Sequence, residues 1–136
     1  MATVLCIDND SGGLATQKAL LEGRGYSVLV ASDGATGIEV SRKHSIDAVV
    51  LDCNIAGMDG SQFADVLMKE QPTLPVAISS DSLDYIPESL KWFADALVQR
   101  CDGPEALLLA IENLIAVISP VRKAPGRGSV RANEAD

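Results

Sequence analysis

The chain alternates short, unbroken apolar runs with longer segments whose apolar residues recur every three or four positions. The runs are TVLCI (3–7), YSVLVA (26–31), DAVVL (47–51), PVAIS (75–79) and DALVQ (95–99). Each is too short for a typical helix and largely apolar at successive positions, the pattern of a strand buried on both faces. The first helical segment spans 11–23, with Leu14, Ala15, Ala19, Leu20 and Leu21 near helical spacing, Ser11 or Asp10 as N-cap, and Gly23 and Gly25 ending it. Asp33 caps a second helix running to about Lys43, and a third spans 61–70 and closes before Pro72. The fourth is less regular. Pro87 suits a first turn better than a helix interior, which predicts a late start, a helix over about 87–93, and a loop at 81–86. The fifth, DGPEALLLAIENLIAVI, has the strongest start signal: Asp102 stands three residues before Glu105, a capping-box spacing, and Pro104 falls in the first turn.

Strict alternation of five strands and five helices predicts an α/β fold: a doubly wound, five-stranded parallel sheet with helices on both faces. Right-handed crossovers reduce the possible topologies to a few. The 136 residues suffice to bury roughly two-thirds of the chain's surface without covalent staples. The domain is expected over 1–118. From Ser119 the chain turns polar, with Pro120, Pro125, Gly126 and Gly128, so 119–136 is expected to be a disordered tail.

Charge narrows the partners. The formal net charge is −8, yet Arg122, Lys123, Arg127 and Arg131 lie in the last eighteen residues. Residues 1–118 therefore hold seven basic and seventeen acidic side chains, a net of −10. Such a body is a poor partner for nucleic acid and a better one for a metal ion or a basic protein. Three cysteines, Cys6, Cys53 and Cys101, show no C-x-x-C spacing, which argues against a disulfide framework or a zinc site. The apolar start is too short for a signal peptide, and no run approaches the roughly 20 residues of a membrane span. The expected setting is a reducing, cytoplasmic one, with no membrane contact.

In doubly wound sheets the ligand crevice lies at the carboxyl ends of the strands. Asp8, Asn9 and Asp10 follow the first strand, Asp52 and Asn54 the third; Ser79 and Ser80 end the fourth, and Arg100 ends the fifth. The second strand ends blandly in Ala31 and Ser32. With strand order 2-1-3-4-5, the polar ends fall side by side and the bland one lies at the edge. Two carboxylates about 4 Å apart repel by roughly 4 kcal/mol at an effective dielectric of 20. A divalent cation removes that cost, and magnesium suits one or two carboxylates with a carbonyl and retained waters. A serine hydroxyl and an arginine nearby suit an incoming phosphoryl group.

With these residues in place, the chain resembles the receiver domain of two-component response regulators. That family shows an acidic pair after strand one, D-x-x-M-P-x-M-D-G after strand three, a Thr or Ser ending strand four, and Lys-Pro after strand five. The counterparts here are Asp8-Asn9, Asp52 through Gly60, Ser80, and Arg100-Cys101, with Met58, Asp59 and Gly60 matching fully. The resemblance covers residues 3 to about 118. It implies a flavodoxin-like, CheY-like fold and phosphorelay signalling rather than an enzyme. Asp52 would take a phosphoryl group from a sensor histidine kinase or phosphotransfer protein, with Mg2+ bound. Asp8, Asn9, Asp52 and the backbone carbonyl of Asn54 would hold the metal, and Ser80 and Arg100 would contact the phosphoryl oxygens. The two glycines after Asp52, Gly57 and Gly60, would let the loop turn tightly.

Several positions depart from the family pattern. Asn9 replaces a carboxylate, Ile55-Ala56 replace Met-Pro, Arg100 and Cys101 replace Lys-Pro, and Leu97 replaces an aromatic that reports the switch. A weaker magnesium site than usual is expected, and Arg is not interchangeable with Lys. The departures leave one alternative, a pseudo-receiver that docks partners without being phosphorylated. Another is a small haloacid dehalogenase-type phosphatase using Asp8 and Asp10, since CIDNDSG fits that opening; it leaves LDCNIAGMDG unexplained. Elsewhere, Cys53 and Cys101 read as small semi-buried side chains. His44 is read as a cation at a helix C-terminus. Trp92 and Phe93 are read as helix anchors or a docking surface.

Overall fold

The computed structural model describes residues 2–53 and 60–118. The expectations for Asn54, Ile55, Ala56, Gly57, Met58 and Asp59, and for the tail at 119–136, lie outside the described residues. Five strands, β1 (Thr3–Ile7), β2 (Ser27–Ala31), β3 (Ala48–Asp52), β4 (Val76–Ser80) and β5 (Ala96–Gln99), alternate with five helices. These are α1 (Ser11–Glu22), α2 (Gly34–Lys43), α3 (Gly60–Glu70), α4 (Glu88–Phe93) and α5 (Pro104–Ile118). The strands form one sheet, all-parallel as the alternation implied and in the order β2-β1-β3-β4-β5 that the family resemblance implied.

Every residue of β3 and β4 is buried, because the sheet is covered on both sides. Alternate side chains sort into two cores. Leu5, Ile7, Leu51 and Ile78 pack with Phe63, Leu67 and Leu90 under α2, α3 and α4. Val4, Cys6, Val50 and Val98 pack with Leu14, Leu21, Leu108 and Ile111 under α1 and α5. Each such fully buried side chain contributes roughly 1.5–3 kcal/mol of transfer free energy. On the first face α2 lies close to the sheet. A Cβ added at Gly37 would fall 2.5 Å from Ile7 Cδ1, so only glycine permits this approach without movement.

The element ends differ from the periodicity reading wherever hydrogen bonds, not hydropathy, decide them. Asp47 and Asp95 open the apolar runs DAVVL and DALVQ but do not begin strands. Asp47 Oδ2 accepts the Thr3 N–H at 2.7 Å and Asp95 Oδ2 accepts the Val76 N–H at 2.8 Å, so each carboxylate caps the start of a neighbouring strand. β3 and β4 instead extend to Asp52 and Ser80, because the ladder continues: Cys53 N–H donates to the Ser79 carbonyl at 3.1 Å. Asp10, not Ser11, caps α1 by accepting the Gly12 N–H, and Gly23 stays right-handed at φ −63 while Gly25 takes φ 93. The capping box expected at Asp102 does not form. Asp102 closes a 3-10 turn (Arg100–Asp102), Gly103 at φ 90 turns the chain into Pro104, and Glu105 reaches across to Arg24 at 3.1 Å. Segment 81–86 is not plain loop: it holds a 3-10 turn (Leu83–Tyr85) whose Asp84 N–H is capped by Ser82.

Candidate functional site

At the carboxyl end of the sheet, three of the polar residues named by the sequence, Asp8, Asp52 and Arg100, come together, and the guanidinium bridges the two carboxylates. Asp8 leaves β1 and is 3% exposed; Asp52 ends β3 and is 4% exposed. Arg100, on the 3-10 turn after β5, places Nη2 at 2.5 Å from Asp52 Oδ1 and 3.4 Å from Asp8 Oδ2. Its Nη1 lies 3.1 Å from Asp81 Oδ1. Partial burial pulls the Arg100 pKa down, but the hydrogen bond to Asp81 and the charges of Asp52 and Asp8 outweigh it and hold the group above its ordinary value. Asp8 Oδ1 also accepts the Asp10 N–H at 2.9 Å, which fixes that carboxylate. Asp81 is a site residue that sequence reading missed; its only local signal is a carboxylate one residue past a strand end.

Asn9 is exposed at the rim. Together with Asp8, Asp10, Asp52 and Arg100 it lines a cleft of about 790 Å³ that continues between α1 and α5 along Gly13, Gln17 and Leu107. The ordered donor set fits a small divalent cation in one respect: two buried carboxylates share one cationic nitrogen, so the same gap suits an ion that prefers oxygen ligands. Among the described residues, no group of three metal-ligating His, Cys, Asp or Glu side chains is brought together. Asn54, the source of the expected carbonyl ligand, lies outside them.

Sheet register decides which serine faces this cleft. Asp52 pairs with Ser79, and Ser79 with Val98. Side chains at paired positions share a face, so Ser79 lines the cleft with Asp52. Ser80 is fully buried and points to the other face, where its Oγ accepts from Cys53 Sγ at 3.2 Å and lies 3.4 Å from the Ser82 N–H. Ser80 is thus linked to the 3-10 segment that follows β4.

The remaining candidates separate by environment. Cys6 is buried, and burial together with Asp8 pushes its thiol up to about 12. Cys53 is half-buried, as expected, whereas Cys101 is exposed because the 3-10 turn carries it outward. His44 occupies the C-cap of α2 after Arg42 and Lys43. Phe93 anchors α4 in the core, while its neighbour Trp92 is 60% exposed. Leu97 packs partly buried against the core of the α2–α4 face.

Comparison with known proteins places this geometry. The response regulator receiver domain family matches residues 4–112. The transcriptional regulatory protein GlrR of Escherichia coli K12 is 38% identical over 122 residues, covering 88% of this chain and 27% of that protein. The chain thus spans about a quarter of the length of that relative. Protein PilH of Pseudomonas aeruginosa is 32% identical over 121 residues, covering 85% of this chain and 99% of PilH. A receiver domain protein from Clostridium thermocellum superposes with a TM-score of 0.79 at 28% identity, covering 89% of this chain and 99% of that one. TrrA of Thermotoga maritima, solved in complex with Mg2+-BeF, superposes at 0.78 with 21% identity, over 84% of this chain and 99% of that one, a likeness of fold. The chain belongs to the response regulator receiver family of two-component signalling.

Proposed function

We propose that Asp52 is a phosphoacceptor, taking a phosphoryl group from a histidine kinase or phosphotransfer protein. The single observation that supports this most is the buried Asp52 carboxylate at the end of the central strand, opening on the cleft and held by Arg100. In the transfer, Asp52 Oδ forms a bond to phosphorus as the phosphorus–nitrogen bond of the donor phosphohistidine breaks. The imidazole leaves with the electron pair and takes up a proton. Asp8, Asn9, Asp52 and the Asn54 carbonyl would hold Mg2+, which when bound neutralises charge on the phosphoryl oxygens. Arg100 moves its hydrogen bonds from the Asp52 carboxylate to those oxygens, its fork of N–H donors reaching two of them. Ser80 exchanges its contact with Cys53 for one with the phosphoryl group and carries the change into 81–86, altering a protein-docking face.

The test is intact-mass measurement after acetyl phosphate treatment with magnesium. Gain of one phosphoryl group by the natural chain, and none by Asp52→Asn, is expected; a phosphate retained on Asp52→Asn would overturn the assignment. A second reading, a docking module that is not phosphorylated, is favoured by one observation: Arg100 already satisfies Asp52 directly at 2.5 Å. No mass gain by the natural chain would establish that reading.

A further inference from the structure

The cleft holds a hydroxyl that neither the fold nor the contacts around Arg100 use. Ser79 is 4% exposed, and its Oγ finds no hydrogen-bond partner among the described residues. A buried hydroxyl without a partner is a cost to folding. The strand does not require it: Ala77, two residues earlier on the same face, is packed in the apolar core, as is Val98 beside Ser79. Ser79 also occupies a particular place. It is the register partner of Asp52 and lies between Asp52 and β5, the strand that leads into Arg100. It lines the same cleft as Asp8, Asp52 and Arg100.

We propose that Ser79 donates a hydrogen bond to the anion that forms on Asp52, contacting it from the α1/α5 face of the sheet while Ser80 acts from the opposite face. This rests on the phosphoacceptor reading above. The orphaned hydroxyl then has its partner only in the modified state, so its cost in the resting protein is returned when the anion is present. Ser79 and Arg100 together form a two-sided cradle for the anion on the cleft side, and the departure of Arg100 from the family lysine is matched by a second donor nearby.

The experiment titrates beryllium fluoride with magnesium into the natural chain, Ser79→Ala and Ser80→Ala, followed by amide NMR, with melting temperatures measured for each protein without ligand. Loss of one hydrogen bond to a charged acceptor predicts roughly tenfold or more weaker beryllofluoride binding by Ser79→Ala. Its melting temperature is expected to be equal to or above that of the natural chain, since no resting contact is removed. Tight binding by the natural chain with unchanged affinity in Ser79→Ala would overturn the proposal and leave the acceptor assignment standing. A fall in both affinity and melting temperature would mark Ser79 as structural and also overturn it. No binding by the natural chain would overturn the acceptor assignment, and this proposal with it.

Discussion

Arg100 Nη2 lies 2.5 Å from Asp52 Oδ1 and 3.4 Å from Asp8 Oδ2, so one nitrogen from the β5 end neutralises the acidic ends of β3 and β1. On the proposed function, the guanidinium sits between two of the carboxylates that would hold magnesium, so the two cations should compete. Arg100→Gln removes one competitor and leaves two buried carboxylates facing each other. Without magnesium the variant is expected to lose roughly 1–3 kcal/mol of stability, toward the lower end because Arg100 is partly exposed. Magnesium should restore it, giving a larger magnesium-induced rise in melting temperature than in the natural chain. Equal rises in both would show that Arg100 and the ion do not compete.

Asn9 stands at the rim beside two carboxylates and supplies an oxygen without charge. Asn9→Asp is expected to tighten magnesium binding by roughly 1 kcal/mol or more, about fivefold. Isothermal calorimetry reads this directly, and unchanged affinity would place position 9 outside the ion's ligands.

Segment 81–86 is joined to Ser80 through the Ser82 N–H at 3.4 Å and to β5 through Leu83 N–H and Gln99 Oε1 at 3.3 Å. Asp81 is held by Arg100 at 3.1 Å and Ile86 is buried, but between them residues 82–85 make few and long contacts and can rearrange at small cost. Beryllofluoride should shift amides across 80–90, and Ser80→Ala should abolish those shifts. Changes clustered at Leu97 with 81–86 unmoved would show that the signal leaves by another route.

Gly37 and Ile7 are coupled by the close approach of α2 to β1. Gly37→Ala should destabilise the chain by roughly 1–3 kcal/mol through crowding of Ile7 Cδ1. Ile7→Val removes that carbon, so the double variant should recover much of the loss made by Gly37→Ala. Additive losses in urea denaturation would refute the coupling.

Two surface carboxylates set part of the acid stability. Glu70 is held below its ordinary 4.5 first by the hydrogen bond from Arg42, and Asp33 below its ordinary 3.8 by the backbone N–H of Thr36 at the start of α2. Both depressed values mean that the unfolded chain binds more protons, so their stabilisation is present above these ordinary values. It is lost as pH falls below about 4.5 and through the lowered folded values. The melting-temperature gap between the natural chain and Arg42→Ala should therefore be constant from pH 6 to 7 and close at acid pH. A gap that persists unchanged in acid would mean the pair contributes through packing alone.

Periodicity was enough for the elements, their alternation and a parallel sheet, while the strand order followed from the family resemblance carried by the strand-end residues. Helix and strand periodicities are local, and right-handed crossovers between parallel strands leave few arrangements. The sequence by itself also located Asp8, Asp52, Ser80 and Arg100 at strand ends, because a carboxyl-end position follows from where an apolar run stops. Tertiary structure alone decided which way those residues face. A strand's side chains alternate with period two, so a one-residue difference in register exchanges Ser79 for Ser80 beside Asp52, and hydropathy cannot resolve one residue in a strand buried on both sides. Nor does a linear pattern reveal that Asp47 and Asp95 cap neighbouring strands, or that Arg100 meets Asp8, Asp52 and Asp81 from three different strand ends. Such contacts join residues far apart in the chain, and only the packed sheet brings their charges within a few ångströms, where they outweigh local preference.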